Sequence, residues 1–290
     1  MNIVLISTSS IGDGRSQALD RMLTSVSSAA ARRPDLSITL LLLLQNCPAA
    51  LVSSHKFPAF VDVSSVPHQK SLSAARNILL SRALSCGLIQ SRTVIGFPDD
   101  DCWYPQGTLE YIVDQFSRIP ELDLWFCRYS ANPVSATEVG FPSKPAHVRG
   151  VIRQASSNTM FVRGRVVESG VSFDEGLGVG TLIGGAEDTE FALRAHILAT
   201  QTMHLDAPVI GHRDKNSQLR AKYYRGGLIA IARHAHKKEG VTTELIRKIA
   251  VGCWLVLRGE LPLAAFFGAL STALRSHQLG KRKLISSPGS

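Results

Sequence analysis

The feature that most constrains this chain is an alternation, through its first two thirds, of short apolar runs with segments of helical periodicity. Strands and helices that alternate bury one another most simply as βαβ units, so the rhythm predicts an α/β fold with a mainly parallel sheet flanked by helices. Strands are expected at Asn2–Ser7, Ile38–Leu44, Ala59–Val63, Thr93–Phe97, Leu122–Arg128 and Asn158–Val162. The run Ile38–Leu44 is apolar nearly throughout, as suits a strand covered on both faces. Helices are expected at Gln17–Arg32, where Leu19, Met22, Leu23 and Val26 share a side, at Ser71–Ser85 with Ser71 or Ser73 as N-cap, at Gln106–Ser117 and at Asp188–Ala199. Ser130–Pro145, rich in proline and small residues, reads as a loop.

From Tyr223 onward the pattern is helical only, with candidates at Ile229–His236, Thr243–Leu257 and Leu263–Leu274 and a break at Pro262. These patterns divide the chain into an α/β body over residues 1–215 and a helical extension over 216–290. Charge divides at almost the same place. Residues 1–211 hold 17 Lys and Arg against 19 Asp and Glu, a balance of −2, whereas residues 212–290 hold 15 against 4, a balance of +11. A basic extension of this kind suits an anionic partner. Its apolar stretches Ile249–Leu257 and Leu261–Leu274, bordered by Lys237, Lys238, Arg247, Lys248, Arg275, Lys281, Arg282 and Lys283, have the composition of helices lying at an anionic membrane face. The alternative is a helical pair packed on the body with its charges in water.

With 44% hydrophobic and 19% charged residues, 290 residues are too apolar for disorder. The five cysteines, Cys47, Cys86, Cys102, Cys127 and Cys253, are scattered with no Cys-x-x-Cys pair, which indicates neither a disulfide framework nor a cysteine zinc site. The opening MNIVLISTSS has no basic n-region and reads as a first strand. No apolar run approaches the ~20 residues of a spanning helix. Together these lead to the expectation of a cytoplasmic protein, peripheral at most on the inner membrane face.

Chemistry concentrates where the Thr93–Phe97 strand runs into Asp99, Asp100 and Asp101, because ligands of α/β sheets bind beyond the carboxyl ends of the strands. Two unit charges about 4 Å apart repel by roughly 4 kcal/mol at an effective dielectric near 20. Clustered aspartates therefore ask for water, a proton or a cation, and hard oxygen ligands suit Mg²⁺ or Mn²⁺. The plain alternative is a solvated acidic turn.

The segment VIGFPDDDCWYP resembles the Asp-x-Asp region of family 2 glycosyltransferases with the GT-A fold. Two further stretches resemble that family, in its order. Ser73-Ala74-Ala75-Arg76-Asn77 is similar to its helix start near the donor nucleotide, and Gly184-Gly185-Ala186-Glu187-Asp188, roughly 85 residues after the aspartates, is similar to its glycine loop and acidic motif. The resemblance covers roughly residues 1–215. It implies a GT-A, Rossmann-like catalytic domain that binds a nucleotide-sugar donor and transfers the sugar, with inversion, to a glycan or lipid-linked acceptor.

It also implies roles for particular residues. Asp188 is the general base that removes the acceptor proton, with Glu187 orienting the acceptor or the loop. Asp100 is the best metal ligand, with Asp101 and His212 in the same shell, while Asp99 and Asp101 divide ribose and metal contact between them. Arg76 and Asn77 lie by the donor; Gly184 and Gly185 let backbone approach the sugar. Thr8-Ser9-Ser10 with Arg15, after the first strand, face the nucleotide base, and Asp62 on the third strand is an alternative contact to the base. The chain departs from the family at Gln45-Asn46, where an Asp-rich turn is usual. A sugar-1-phosphate nucleotidyltransferase would need a lysine-bearing phosphate loop after the first strand, and Ser7–Arg15 contains no lysine. A nucleic-acid-binding module would exploit the basic extension, but strand-end carboxylates repel phosphate and the extension has few aromatics for stacking, so no nucleic-acid partner is expected.

Overall fold

The computed structural model describes all residues except 12–13, 48–51, 54, 215–220, 222 and 286–290. The strands are β1 (Asn2–Ser9), β2 (Ser37–Gln45), β3 (Val61–Val66), β4 (Val94–Gly96), β5 (Leu122–Ser130), β6 (Lys144–Pro145), β7 (Met160–Arg163) and β8 (Gln201–Gly211). They form one sheet in the order β3-β2-β1-β4-β7-β5-β8-β6. Helices α1 (Ser16–Arg32), α2 (Leu72–Ser85), α3 (Thr108–Arg118), α4 (Val148–Gln154), α5 (Gly164–Glu168) and α6 (Glu187–Leu198) belong to the body, and α7 (Tyr224–His234), α8 (Val241–Leu257) and α9 (Leu263–Ile285) to the extension.

Six of the strands run the same way, whereas β7 lies antiparallel between β4 and β5, and β6 antiparallel on the β8 edge. The sheet is thus mixed, and the expected parallel majority holds around one reversed central strand. Strand alternation sorts β2 into two layers. Leu40, Leu42 and Leu44 join Leu19, Met22, Val26, Ile112 and Phe116 of α1 and α3 on one face, while Leu41 and Leu43 join Leu79, Leu80, Phe191 and Ala195 of α2 and α6 on the other. That double burial is why β2 reads as an almost unbroken apolar run. Helices α4 and α5 and strand β6 are too short to leave a periodic signal, and none was expected from the sequence.

Local choices aim the body at one rim. Ser71 caps α2 by accepting the Ala74 N–H at 3.3 Å, and Ser73, the other N-cap candidate, instead donates to the Leu177 carbonyl at 2.8 Å. Beyond β4, the turn at Asp99 closes through Cys102 N–H donating to the Asp99 carbonyl at 3.1 Å. Trp103 then pairs with Gly211 as an antiparallel bridge at the end of β8. All five cysteines are free thiols.

The extension shares apolar clusters with the body. Leu177 packs with Tyr224, Leu228, Leu255 and Phe266, and Val148 and Leu193 pack with Ile231, Ala235 and Val241. The 215/216 division falls among residues outside those described, as do the side chains of Lys281, Arg282 and Lys283. Among the described residues no helix is long and apolar enough to cross a membrane.

The Trp103–Gly211 bridge is close enough that a Cβ on Gly211 would fall inside the indole. Gly211→Ala is expected to cost about 1–3 kcal/mol through overpacking, read as a lower urea midpoint with an unchanged m-value.

Candidate active site

Five strands meet at one rim. The parallel strands β1, β4, β5 and β8 end there, and the reversed β7 begins there, so Ser157 and Asn158 just before it face Asp99. The Asp99 N–H donates to Asn158 Oδ1 at 3.3 Å.

Arg76 organises the rim. Its side chain, only 1% exposed, donates through Nη2 to Asp99 Oδ1 at 2.8 Å and to Ser157 Oγ at 2.9 Å, and through Nη1 to Asp188 Oδ1 at 3.3 Å. Ser157 Oγ in turn donates to Asp188 Oδ2 at 3.1 Å. Phe173 lies 5.1 Å from the guanidinium on its ring face. One buried cation therefore holds two carboxylates together, from β4's end and from α6's first turn. Asp99 and Asp188 stay 28% and 26% exposed, enough for each to meet a ligand.

The three aspartates do separate work. Asp100 is buried and accepts from Ser9 Oγ at 2.6 Å and from Arg15 Nε at 3.1 Å, with Arg15 Nη2 on its other oxygen. The expectation that Asp100 leads the metal shell is not met, because its oxygens are turned onto Ser9 and Arg15. The group that converges is Asp99, Asp101 and His212, whose ligand atoms all lie within 4.8 Å of one another. His212 Nε2 stands 3.1 Å from Asp101 Oδ1 and 3.7 Å from Asp99 Oδ2. Its Nδ1 lies 2.9 Å from the Arg213 carbonyl, a partner that only a protonated Nδ1 can satisfy, which leaves Nε2 as the inward atom. Asp101 Oδ1 and His212 Nε2 are buried without a hydrogen-bond partner among the described residues. These inward-facing ligand atoms, two carboxylates with one imidazole, fit a divalent metal.

Electrostatics follow. Burial pushes Asp101 upward, but His212, Arg213 and Arg15 outweigh it and hold the carboxyl at about 2. Burial lowers His212, and Asp101 and Asp99 more than offset that, so it is raised. Asp99 is raised by burial and by Asp188, with Arg76 opposing. Glu187, buried under Gly178, is lifted to about 7 by burial and by the adjoining Asp188. Gly178 has a φ of 103°, and an added Cβ there would press to 2.8 Å on Glu187 Cδ. Only glycine fits.

Other expected residues take other places. Asn77 pins the loop ahead of α6, its Nδ2 donating to the Phe173 carbonyl and to Glu175 Oε1, both at 2.9 Å, so it supports the site from behind. Asp62 accepts from Arg82 at 2.7 and 2.8 Å on β3, three strands from β4. Thr8 is half-buried on β1, and strand alternation turns it away from the face that Ser9 presents to Asp100. Gly184 opens onto space, whereas Gly185 is covered by the Tyr223 ring. Sequence reasoning missed Ser157, Tyr129 and Arg213. The Tyr129 ring stands edge-on to His212 at 5.0 Å, and Arg213 Nη1 lies 3.2 Å from Asp101 Oδ2. Only knowledge that β7 is reversed would have marked Ser157.

No family profile matches this chain, and no curated protein does. Solved structures do. The Staphylococcus aureus TarS 1-349 structure in complex with UDP aligns over 98% of this chain and 91% of that one, with a TM-score of 0.60 and 13% identity. The same TarS segment with UDP-GlcNAc gives 0.57 and 12% identity over the same shares. A longer TarS structure gives 0.63 and 12% identity, over 97% of this chain and 55% of that one. The likeness is one of fold, and the fold is the GT-A-like α/β architecture expected from the sequence.

Because Glu187 is held protonated in the folded state up to about 7 against an ordinary value near 4.5, it favours folding at low pH and loses that contribution as pH rises between the two. Over that window the unfolding free energy of the wild type should fall relative to Glu187→Gln by on the order of 2 kcal/mol. Parallel urea titrations at pH 5 and pH 7.5 measure it, and curves that keep a constant separation would contradict it.

Proposed function

We propose that this chain is an inverting, metal-dependent glycosyltransferase that moves a sugar from a nucleoside-diphosphate donor to a hydroxyl of a glycan or lipid-linked acceptor. The observation that carries the reading is Arg76, buried and bonded at once to Asp99 and Asp188, which ties a metal-ligand cluster to a partly exposed carboxylate. TarS shares the fold in structures with UDP and UDP-GlcNAc, which supports a uridine diphosphate donor.

In this reading Asp188 accepts the proton of the attacking hydroxyl. Ser157 and Arg76 fix its rotamer, each holding one carboxylate oxygen by a single hydrogen bond, and the side chain stays 26% exposed to meet the acceptor. Asp99, Asp101 and His212 would hold a divalent ion, Mn²⁺ suiting a set that includes an imidazole better than Mg²⁺. When bound, such an ion supplies positive charge against the departing diphosphate. Arg15 and Arg213 flank the same cluster and add cationic donors for phosphate oxygens, with Asp100 and Ser9 positioning Arg15. Attack from the Asp188 side, opposite the leaving diphosphate, inverts the anomeric centre.

Thermal-shift and donor-hydrolysis measurements over a panel of nucleotide sugars, with and without Mn²⁺, test the reading. One uridine-diphosphate sugar should respond, and only with the metal. Asp188→Asn should keep that thermal shift while transfer falls by roughly 10²–10⁴-fold. Silence from every donor would refute the assignment.

The extension supports a peripheral place on an anionic membrane at the cytoplasmic face. Trp254, Leu257, Leu263, Phe267 and Leu274 are exposed on α8 and α9, and Arg258 lies over the Trp254 ring at 4.6 Å. Apolar side chains interleaved with arginine suit the headgroup boundary. The chain should co-sediment with phosphatidylglycerol vesicles at low salt and not with phosphatidylcholine vesicles. Recovery in the supernatant of both removes this part.

A further inference from the structure

We propose that the acceptor is a polyanionic glycan, laid along a basic groove that runs from Tyr129 beside His212 to Lys144 on the β6 edge. The inference rests on the transferase reading above and names the substrate class of that site.

Two cavities join to make the groove. The inner one, about 430 Å³, is lined by Arg128, Tyr129, Arg153, Gln154 and Asp206. The outer one, about 650 Å³, shares Arg153, Gln154 and Asp206 and continues past Arg149, His147 and Lys144. Tyr129 is the link to the chemistry. Its ring meets His212 edge-on at 5.0 Å, and His212 Nε2 stands 3.7 Å from Asp99, the carboxylate that shares Arg76 with Asp188.

The groove's charge is what selects the ligand. Arg128, Lys144, Arg149 and Arg153 face one carboxylate, Asp206, which Arg128 engages at 3.3 Å. Among the described residues Lys144, Arg149 and Arg153 have no carboxylate within ion-pair distance. They are exposed, and they sit on a body whose residues 1–211 sum to −2. A local excess of unpaired cations against an acidic background is a focused positive field, independent of the basic extension. A neutral sugar chain gains little from guanidinium groups in water, while carboxylate or phosphate substituents gain charge-assisted hydrogen bonds. Phe141, 46% exposed at the outer end, gives a ring face for the apolar side of a sugar. Exposed cations and one aromatic edge together describe an acidic glycan.

The test uses the full chain and three probes: phosphomannan, polygalacturonate oligomers and neutral mannan, titrated by calorimetry at about 50 and about 300 mM salt. At least one anionic glycan should bind, more weakly at high salt, with mannan much weaker. The charge source is read from which of the phosphate and carboxylate probes binds tighter. Arg149→Glu with Arg153→Glu should weaken that binding by roughly tenfold or more, raising acceptor KM while donor hydrolysis is unchanged. Arg247→Glu with Arg275→Glu, on the extension, should leave it intact. Equal binding of mannan, an unchanged affinity in the Arg149/Arg153 variant whose melting temperature matches wild type, or tighter binding of a single-stranded oligonucleotide than of either glycan would each overturn the groove. Absence of donor hydrolysis in the wild type would instead overturn the transferase reading, and the acceptor role with it.

Discussion

The site depends on a guanidinium buried between two carboxylates. Arg76 is 1% exposed, and stripping a cation of water is repaid only when its donors are all met in good geometry. Asp99, Asp188 and Ser157 accept three of its N–H groups, and the Phe173 ring closes one face. The pairing constrains the fold in return, since Arg76 belongs to α2, Asp99 to the turn after β4, Ser157 to the approach to β7 and Asp188 to α6. Four segments far apart in sequence must arrive together or leave a buried charge alone. Removal of the cation would leave Asp99 and Asp188 repelling one another, so the same contact that positions the chemistry also makes the rim cohere.

Much of the architecture was legible because burial on two faces writes itself into the chain. The leucines of β2 and the i, i+3, i+4 pattern of α1 announce their elements directly. Strand direction writes nothing. The sequence of β7, Met160-Phe161-Val162-Arg163, is as apolar as a parallel strand would be, and its reversal follows from its place between β4 and β5, where Ile95 faces Val162 and Trp125 faces Phe161. The short α4 and α5 turn within stretches that carry no full helical repeat, and they form because the sheet beneath offers Val151, Val166 and Val167 a place to bury.

The site was legible as a set of residue types and less so as a set of partners. An acidic run at a strand end marks a ligand rim, and the chain does bring Asp99, Asp101, Asp188, Arg76 and His212 together there. Which aspartate faces which way is decided by contacts that spacing does not encode. Three consecutive side chains in a tight turn cannot converge on one point. Asp100 turns to Ser9 and Arg15 on the β1 side, which frees Asp99 and Asp101 to face His212. The Trp103–Gly211 bridge does the rest, since it fastens the end of the acidic turn to the end of β8 and so carries His212 to Asp101.

The extension bears on the same rim, although charge and periodicity set it apart from the body. Helix α7 packs along α6, the helix whose first turn holds Glu187 and Asp188. Tyr223 covers Gly185, and Gly226 sits so close to the Gly185 carbonyl that a Cβ there would crowd it at 2.5 Å. One helical turn further on, Glu190 accepts from both Arg194 at 2.5 Å and His234 at 3.0 Å, with Glu190 and His234 buried. A loop with Gly184 and Gly185 ahead of a charged helix start would ordinarily have many conformations to lose. Here α7 removes most of them from outside. The conformational cost of presenting Asp188 is therefore met in the folded chain before any ligand arrives, and the extension that α8 and α9 complete is structurally part of the rim it stands behind.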